Sequence, residues 1–521
     1  MRLAMFIAAV VAVLTTFASG AAPVKIDGGL VEGTIENGIG TYKGIPFAAP
    51  PVGDLRWRPP QPVKRWDGVL KADHFAPACP QVQFDIPLFP KVETSEDCLY
   101  LNVWTPAQSA EESLPVMVWI YGGGFAMGAT STPLYNGEQL AKMGVIVVSV
   151  AYRVGPLGFL SHPELSAESP HKVSGNYGLL DQIAGLQWVQ RNIKAFGGDP
   201  GRVTIFGESA GGMSVSMLAA SPLAKGLFHR AICQSGGSFN PVRMQKEPDS
   251  IQLLAGAEPA GVEFAKRMGA DSLAELRQVP PEKWQKDPAA QMGGFWPVAD
   301  GYVIVGDQYT LYEAGKYNDV PVLIGTNSDE GSMFAKATTP EQYEKSVRER
   351  FGPFAERVLE FYPGKTPDET RRAAADIFRD SLFAWPTWAW ARLQTKTGGS
   401  PVFVYYFDQK QPPSLLSALF KSDGASHGSE IAYVFRHLDM GMGAQFTDAD
   451  RKLSEQMATY WTNFAKGGNP NGEGLPDWPA FRDGQPTVMY LDSEPHAGPP
   501  ANLDKLMLVD NYFAWKRSAE N

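Results

Sequence analysis

Short runs of β-branched and other apolar residues recur along the chain, and most of them carry no alternating polar positions. Runs of this length and composition are typical of strands that are buried on both faces of a sheet. The clearest of them are Val116–Ile120, Val145–Val150, Val203–Phe206, Pro321–Ile324 and Val402–Tyr406. The pattern therefore predicts a sheet with a covering layer on each side.

A helical period fills the gap between the second and third runs. Apolar residues recur three or four positions apart over residues 178–193, which is the spacing of one helix face. Strands separated by helices favour a parallel, doubly wound sheet, because parallel neighbours need long crossover connections. Two further stretches, about 244–288 and about 340–394, are helical and charged. We expect an α/β fold in which these stretches are insertions over the sheet rather than separate domains.

The first residues differ from the rest of the chain. Met1–Arg2 precedes the apolar run Leu3–Phe17, and small residues follow around Gly20. A basic start, a short apolar run and small residues at the cut are typical of a signal peptide. We expect residues 1–20 to be removed and residues 21–521 to form one secreted or periplasmic domain. No later segment has about 20 consecutive apolar residues, so the mature protein should carry no membrane span.

Composition narrows the choice of partner. The chain has 521 residues, of which 44% are hydrophobic and 20% charged, and its formal net charge is −10. This acidity disfavours nucleic acid as a partner. The absence of an Asn-x-Ser/Thr sequon favours a bacterial over a eukaryotic secretory origin. Neither property indicates the oligomeric state.

A candidate nucleophile lies between a predicted strand and a helix. Gly207–Gly211 matches the pattern G-x-S-x-G, follows the run Val203–Phe206 and enters a helical stretch of small and apolar residues. A tight strand-to-helix turn lifts a serine hydroxyl clear of the sheet. Gly424–Gly428 matches the same pattern but has no strand before it. Ser209 is therefore the predicted nucleophile, and Ser426 is not.

A serine needs a base, and the base needs a carboxylate to orient it. In this fold the acid and the histidine follow the nucleophile along the chain. The acid is predicted at Asp329 or Glu330, just beyond the run Pro321–Ile324, and the pattern alone does not choose between them. The histidines far enough downstream are His427, His437 and His496.

A glycine-rich loop is the candidate oxyanion site. Tyr121–Phe125 contains three consecutive glycines and directly follows the run Val116–Ile120. Bare backbone N–H groups in such a loop suit the developing oxyanion of acyl transfer. The alternative, a phosphate-binding loop, is disfavoured because the G-x-G-x-x-G spacing is missing.

Together these motifs resemble the type-B carboxylesterases, a family that includes bacterial p-nitrobenzyl esterases, animal carboxylesterases and cholinesterases. The resemblance covers nearly the whole mature chain and implies an α/β-hydrolase fold. Besides the motifs above, it rests on Gly44–Gly53, Glu96–Trp104, Gly197–Pro200, Asp329–Gly331 and Gly424–Phe435.

The resemblance also implies roles for individual residues. It implies Ser209 as nucleophile, Glu330 as acid and His427 as base. Further residues that it implies are Gly123, Gly124 and Ala210 as oxyanion donors, Ser235 behind Glu330, Glu208 beside the nucleophile, a Cys79–Cys98 disulfide, and the ion pairs Arg56–Glu96 and Arg153–Asp181. The third cysteine, Cys233, lies in an apolar run and is expected to be a buried thiol.

The chain departs from the cholinesterases in its first disulfide loop. Cholinesterases carry a tryptophan there that stacks on a quaternary ammonium, whereas residues 80–97 contain only Phe84 and Phe89 as aromatics. A general carboxylesterase is therefore the better hypothesis. Aromatics that could wall the acyl side, or belong to the core, are Phe295, Trp296 and Phe334.

The sequence thus predicts a serine carboxylesterase that acts on a small-molecule ester through an acyl-enzyme. The mechanism needs no cofactor and no metal. The alternative is a non-catalytic adhesion or binding homologue, since the fold also serves recognition. Such homologues typically lose the serine or the histidine, and this chain keeps both.

Overall fold

The computed structural model of the protein describes residues 20–83, 91–247, 250–336, 338–413, 421–440 and 444–519. Phe84, Phe89 and all of the predicted signal peptide except Gly20 lie outside these residues. In chain order, the strands among the described residues are β1 (Val24–Lys25), β2 (Leu30–Glu32), β3 (Thr34–Glu36), β4 (Ile39–Pro46), β5 (Val69–Lys71), β6 (Tyr100–Thr105), β7 (Leu114–Ile120), β8 (Ile146–Val150), β9 (Gly198–Glu208), β10 (Arg230–Gln234), β11 (Val242–Arg243), β12 (Ile251–Leu253), β13 (Val298–Ala299), β14 (Val322–Asn327), β15 (Val402–Phe407), β16 (Val488–Leu491) and β17 (His496–Gly498).

The main sheet has the order β17-β16-β15-β14-β10-β9-β7-β8-β6-β4-β3. From β16 to β8 every neighbouring pair is parallel. The outer pairs at both edges are antiparallel. The five apolar runs correspond to β7, β8, β9, β14 and β15, so the predicted strands are confirmed. They are apolar throughout because helices cover the centre of the sheet on both faces.

The helices among the described residues connect these strands. They are α1 (Glu138–Ala141), α2 (Gly155–Phe159), α3 (Pro163–Glu168), α4 (Tyr177–Asn192), α5 (Ala210–Ala220), α6 (Leu254–Arg267), α7 (Leu273–Gln278), α8 (Pro281–Trp284), α9 (Gln308–Glu313), α10 (Pro340–Phe351), α11 (Ala355–Phe361), α12 (Pro367–Arg379), α13 (Trp385–Thr397), α14 (Ile431–Val434), α15 (Asp448–Gly467) and α16 (Leu503–Ser518), with a π-helical turn at Asp380–Ala384 between α12 and α13. The helix predicted over residues 178–193 is α4. The two charged stretches form α6–α8 and α10–α13, as expected. None of the helices in the described ranges is long and apolar enough to cross a membrane.

The centre of the sheet contains a change in winding direction. The chain continues from β7 to β8, which lies on the side of β7 that faces one edge of the sheet. From β9 it continues to β10, which lies on the side of β9 that faces the opposite edge. Strands β7 and β9 are neighbours, so the loops at their carboxyl ends diverge and leave a crevice between them. Open α/β sheets bind their ligands in such a crevice. The loops after β7 and β9 carry the predicted oxyanion glycines and Ser209.

Two predicted ion pairs join segments that are distant in the sequence. Arg56 Nη2 lies 2.6 Å from Glu96 Oε2, and Arg153 Nη2 lies 2.7 Å from Asp181 Oδ1. Both pairs are bidentate, which is the strongest geometry for arginine and carboxylate. Both predictions are confirmed.

The predicted disulfide joins Cys79 to Cys98, and Cys233 is a free, buried cysteine. Gln81, just inside the disulfide loop, donates from Nε2 to the Gly128 carbonyl oxygen and accepts from the Gly128 N–H, both at 2.8 Å. The disulfide loop is therefore tied to the segment that follows the glycine loop Tyr121–Phe125.

Candidate active site

The serine turn is made by the junction of β9 and α5. β9 ends at Glu208, α5 begins at Ala210, and Ser209 between them has φ 56° and ψ −124°. A non-glycine residue in this region costs about 1–3 kcal/mol and persists only where its surroundings enforce it. The flanking glycines are required because β7 passes close by: a Cβ at Gly211 would lie 2.0 Å from the Ile120 carbonyl oxygen, and one at Gly207 would lie 2.6 Å from it.

A single histidine reaches this serine. His427 Nε2 lies 2.9 Å from Ser209 Oγ, and His427 Nδ1 lies 2.6 Å from Glu330 Oε2. The two other candidates lie elsewhere: His437 bonds through Nε2 to the Asn136 carbonyl oxygen at 2.9 Å, and His496 is exposed on β17. The structure therefore brings Ser209, His427 and Glu330 into one hydrogen-bonded chain.

The Glu330 carboxylate is fully buried and held from behind. Its Oε1 accepts hydrogen bonds from Ser235 Oγ at 2.5 Å and from the Asn327 N–H at 2.6 Å. These two donors leave Oε2 free to face His427. The Asp329 carboxylate bonds to Ser422 and to the Asp423 N–H, away from the histidine ring.

A second carboxyl group, that of Glu208, lies beside the histidine. Glu208 Oε1 lies 3.3 Å from His427 Nε2. Burial opposes protonation of His427, but the charges of Glu208 and then Glu330 outweigh it and raise the pKa of His427 to about 9. Burial raises the pKa of Glu208 to about 8, against the opposing effect of His427. An imidazolium formed at His427 would therefore be strongly stabilised.

Glu430 is a buried acid that the sequence analysis missed. Its carboxylate accepts hydrogen bonds from Gln234 Nε2 at 3.0 Å and from Asn327 Nδ2 at 2.6 Å. Burial raises its pKa. Since Asn327 also donates from its backbone to Glu330, Glu430 belongs to the same network. Its position three residues after His427 was the only available signal.

The glycine loop lies directly against the serine turn. A Cβ at Gly122 would lie 3.0 Å from Ser209 Cβ. Gly123 has φ 112° and Gly124 has φ 60°, which are conformations that glycine adopts readily. Within the described residues, no hydrogen-bond acceptor faces the backbone N–H of Gly123, Gly124 or Ala210. These donors are therefore available to a ligand.

Aromatic rings pack against the histidine. The Phe334 ring lies 5.3 Å from the His427 ring in an edge-to-face arrangement. Phe383, which the sequence motifs did not predict, stacks on the His427 ring with 4.8 Å between ring centres. Phe383 belongs to the π-helical turn after α12, and such turns are frequent at functional sites.

The other two predicted pocket aromatics do not pack against the histidine ring in the described residues. Trp296 is half-buried and packs edge-to-face on Phe125 at 4.7 Å, at the end of the glycine loop. Together with Met213 and Leu382 it lines a small cavity beside α5. Phe295 is buried against Phe264 of α6 at 5.1 Å. Its contacts are those of a core residue, whereas Phe334 packs against His427 and Trp296 lines the cavity beside α5.

In the part of the chain that the structure describes, no group of three or more His, Cys, Asp or Glu side chains is arranged to hold a metal ion. The functional groups of the crevice are the hydroxyl, imidazole, carboxyl and backbone N–H groups described above.

A mostly parallel, doubly wound sheet with a strained serine between a central strand and a helix defines an α/β hydrolase. The comparisons with known proteins narrow the class. Residues 21–506 match the carboxylesterase family. The chain is 39% identical to a fumonisin B1 esterase of Sphingopyxis macrogoltabida, covering 90% of this chain and 86% of that protein.

Other relatives and solved structures agree. A para-nitrobenzyl esterase of Bacillus subtilis (strain 168) is 38% identical, with 89% of this chain and 94% of the relative covered. A cocaine esterase of Homo sapiens is 36% identical over 92% of this chain and 87% of the relative. A solved structure of PNB esterase superposes with a TM-score of 0.79 at 36% identity, covering 94% of this chain and 99% of that one. The chain belongs to the carboxylesterase family and is a carboxylic ester hydrolase.

Proposed function

We propose that this hydrolase acts through an acyl-enzyme on Ser209, with a Ser209–His427–Glu330 triad. The observation that carries the proposal is the continuous hydrogen-bonded chain from Ser209 Oγ through both ring nitrogens of His427 to Glu330 Oε2. A serine hydroxyl becomes an effective nucleophile only when such a base can take its proton. The strained turn that presents Ser209 also supports this role.

In the acylation half, Ser209 Oγ attacks the ester carbonyl carbon while its proton moves to His427 Nε2. The carbonyl oxygen becomes an oxyanion and accepts hydrogen bonds from the N–H groups of Gly123, Gly124 and Ala210. The imidazolium, stabilised by Glu330, then gives its proton to the alkoxide oxygen of the leaving group. The C–O bond breaks, the alcohol departs, and the acyl group remains on Ser209.

In the deacylation half, a water molecule replaces the alcohol. His427 takes a proton from the water as its oxygen attacks the acyl carbon. The second oxyanion collapses, and His427 returns the proton to Ser209 Oγ as the carboxylic acid leaves. Glu208 contributes by its charge near Nε2, where the imidazolium proton resides during both halves.

Labelling of the nucleophile tests this mechanism. An organophosphate should add to Ser209 with loss of its leaving group, and intact-mass and peptide mass spectrometry should locate the adduct there. Ser209→Ala should abolish turnover and labelling, whereas Ser426→Ala should largely retain both. An unlabelled wild-type protein would favour the non-catalytic homologue, and activity that survives in Ser209→Ala would contradict the triad.

The substrate class that we propose is a neutral small-molecule ester. The relatives are named for fumonisin B1, para-nitrobenzyl and cocaine, so their names do not point to one common ester. A half-exposed Trp296 and the rings of Phe334 and Phe383 supply apolar walls that suit an uncharged acyl group. A panel of esters that varies acyl length and alcohol size separately would define the preference.

We further propose that the enzyme is secreted or periplasmic. The apolar run Leu3–Phe17 and the small residues after it support cleavage after about residue 20. A disulfide between Cys79 and Cys98 fits an oxidising compartment. N-terminal sequencing of the exported protein tests the proposal: a mature protein that still begins at Met1 would contradict it.

A further inference from the structure

Two loops supply the acid and the base, and they are joined by one carboxylate. We call residues 328–332 the acid loop, because it carries Glu330, and residues 421–427 the histidine loop, because it ends at His427. The acid loop follows β14 directly. The histidine loop arrives from a distant part of the chain, so contacts between the loops decide how Glu330 and His427 meet.

The Asp329 side chain spans the junction between the two loops. On its own loop, Asp329 Oδ1 accepts a hydrogen bond from Ser332 Oγ at 2.5 Å. Toward the histidine loop, Asp329 Oδ2 accepts from Ser422 Oγ at 2.6 Å and from the Asp423 N–H at 2.9 Å. Each carboxylate oxygen therefore serves one loop.

Backbone contacts extend the same junction toward the histidine. The Asp329 N–H donates to the Ala425 carbonyl oxygen at 2.9 Å, and the Ala425 N–H donates to Ser328 Oγ at 3.0 Å. Ala425 is two residues before His427, and Asp329 is next to Glu330. The junction therefore lies within two residues of both partners of the 2.6 Å contact between His427 and Glu330.

We propose that Asp329 is a positioning residue that holds the histidine loop so that His427 meets Glu330 and Ser209 in reactive geometry. The inference rests on the proposed triad and assigns Asp329 no contact with substrate. Misplacing a catalytic group by about 1 Å can cost roughly a hundredfold in rate. A carboxylate that fixes both loops limits this displacement.

The chemistry of the junction requires a carboxylate rather than an amide. The carboxylate faces four donors: Oδ1 faces the hydroxyl and the N–H of Ser332, and Oδ2 faces the Ser422 hydroxyl and the Asp423 N–H. An asparagine would keep only one acceptor oxygen and would point its NH2 group at a donor on one side. The hydroxyl of Ser422 or Ser332 can rotate to accept, but the Asp423 N–H cannot.

Further side-chain contacts reach the histidine loop. The buried Asn327 donates from Nδ2 to the Ser426 carbonyl oxygen at 2.9 Å, next to His427, and another contact is external. The Asp423 side chain pairs with Arg372 of α12, and both side chains are more than half exposed. Exposed pairs of this kind contribute little. The half-buried Asp329 carboxylate is therefore a stronger constraint than this exposed pair, and it acts at the start of the histidine loop, whereas Asn327 acts at its end.

Asp329→Asn tests the proposal. Its kcat is expressed per active site, and the concentration of active sites is measured by titration with an organophosphate. We expect kcat per titrated site to fall roughly ten- to a hundredfold, with KM changed less than about threefold. Weakening the contact with Glu330 also lowers the pKa of His427, whose ring is faced by Glu208, Glu330 and, further off, Glu430. The acid limb of the pH profile of kcat/KM, where activity rises with pH, should therefore move to lower pH.

Asp319→Asn is the matched control. Asp319 is an exposed aspartate ahead of β14, and its carboxylate also accepts two backbone N–H bonds, from Gly399 at 2.7 Å and Ser400 at 3.2 Å. It lies at the opposite end of the strand from the site. The same change there should leave kcat within about twofold and the acid limb unmoved.

Ser422→Ala provides a second test that does not depend on how well Asp329→Asn folds. It removes one donor to Oδ2 and leaves the Asp423 N–H in place, so a smaller fall in kcat, about three- to tenfold, is expected. In the double variant the Ser422 change should add little to the Asp329 change.

A purely structural role for Asp329 predicts something else. The fraction of titratable sites or the unfolding midpoint would fall, while kcat per titrated site and the acid limb stayed as in the wild type. That result in Asp329→Asn, or a wild-type kcat per site in Ser422→Ala, overturns the proposal. A wild-type protein that the organophosphate does not label would contradict the triad itself and is thus a distinguishable outcome.

Discussion

At the scale of single residues, the site is a histidine surrounded by carboxyl groups in a nearly dry environment. His427 faces Glu330 through Nδ1 and lies close to Glu208 through Nε2, and only 8% of its side chain is exposed. The two carboxyl groups have different surroundings. Glu330 accepts two hydrogen bonds besides that of His427, whereas Glu208 Oε1 has no hydrogen-bond partner among the described residues. This difference supports the proposed roles, in which Glu330 orients the ring and Glu208 acts by its charge.

Glu330→Gln should lower kcat by roughly 10³–10⁴-fold, because an amide favours the wrong histidine tautomer. Steady-state kinetics with a neutral ester measures the loss. Asp329→Asn should lose at least tenfold less than Glu330→Gln, since Asp329 does not contact the ring. The reverse order of the two losses would exchange the roles of the two acids.

Glu208→Gln should shift the pH dependence of catalysis. His427 must be neutral to accept the serine proton, so kcat/KM rises as pH passes upward through the pKa of His427. The Glu208 charge raises that pKa, so its removal should lower the pKa and move the rise to lower pH. A pH profile of kcat/KM measures the shift, and the exposed Glu473→Gln serves as the control. A rise at the wild-type position would exclude Glu208 as a source of the raised pKa.

At the scale of secondary-structure elements, the site forms where the connections after two neighbouring strands run in opposite directions. The glycine loop after β7 and the serine turn after β9 meet because these strands are neighbours at the point where the winding reverses. The acid loop after β14 lies two strands from β9. Buried polar contacts then fix the surrounding segments, and one of them is the fully buried Arg153–Asp181 pair between the end of β8 and α4.

Arg153→Met should destabilise the fold by about 3–5 kcal/mol, because Asp181 would remain buried without its partner. Both side chains are 0% exposed, so water cannot replace the lost contact. The midpoint of urea unfolding measures the effect. The double variant Arg153→Met/Asp181→Leu should recover much of the loss, since it leaves no buried unpaired charge. A single variant as stable as the wild type would contradict this account of the pair.

At the scale of the whole molecule, the overall charge and the disulfide loop bear on which esters are accepted. The net charge of −10 is spread along the chain. The loop between Cys79 and Cys98 contains no tryptophan on which a quaternary ammonium could stack. Such a stack contributes on the order of 2 kcal/mol in a desolvated site, a factor of about thirty in affinity.

We therefore expect kcat/KM for an acylthiocholine not to exceed that for a neutral ester with the same acyl group and a similar leaving group. The comparison belongs at fixed salt, because a diffuse negative field attracts any cation weakly. A tenfold preference for the choline ester would contradict this expectation. Phe334, which lies beside His427, would then be the first ring to replace as the source of a cation site.

The sequence by itself determined five of the strands, β7, β8, β9, β14 and β15, together with the serine turn and the glycine loop. Each of these is a local pattern: an apolar run, a serine between glycines after a strand, and consecutive glycines after another strand. These patterns can be recognised in the sequence because their physical causes act within a few residues. The causes are the burial of a strand on both faces and the need for glycine where the backbone has no room for a side chain. Motif order along the chain then indicated the carboxylesterase family, to which the chain belongs.

Tertiary structure decided how distant residues meet. The residue pattern alone left Asp329 and Glu330 equivalent, and the family resemblance favoured Glu330. In the fold, Ser235 and the Asn327 N–H hold the Glu330 carboxylate toward His427, and Ser422 holds Asp329 away from it. Glu430 and Phe383 likewise became visible only in the folded chain. Contacts between segments some hundred residues apart have no sequence period, so only the packing of the loops at the sheet edge determines them.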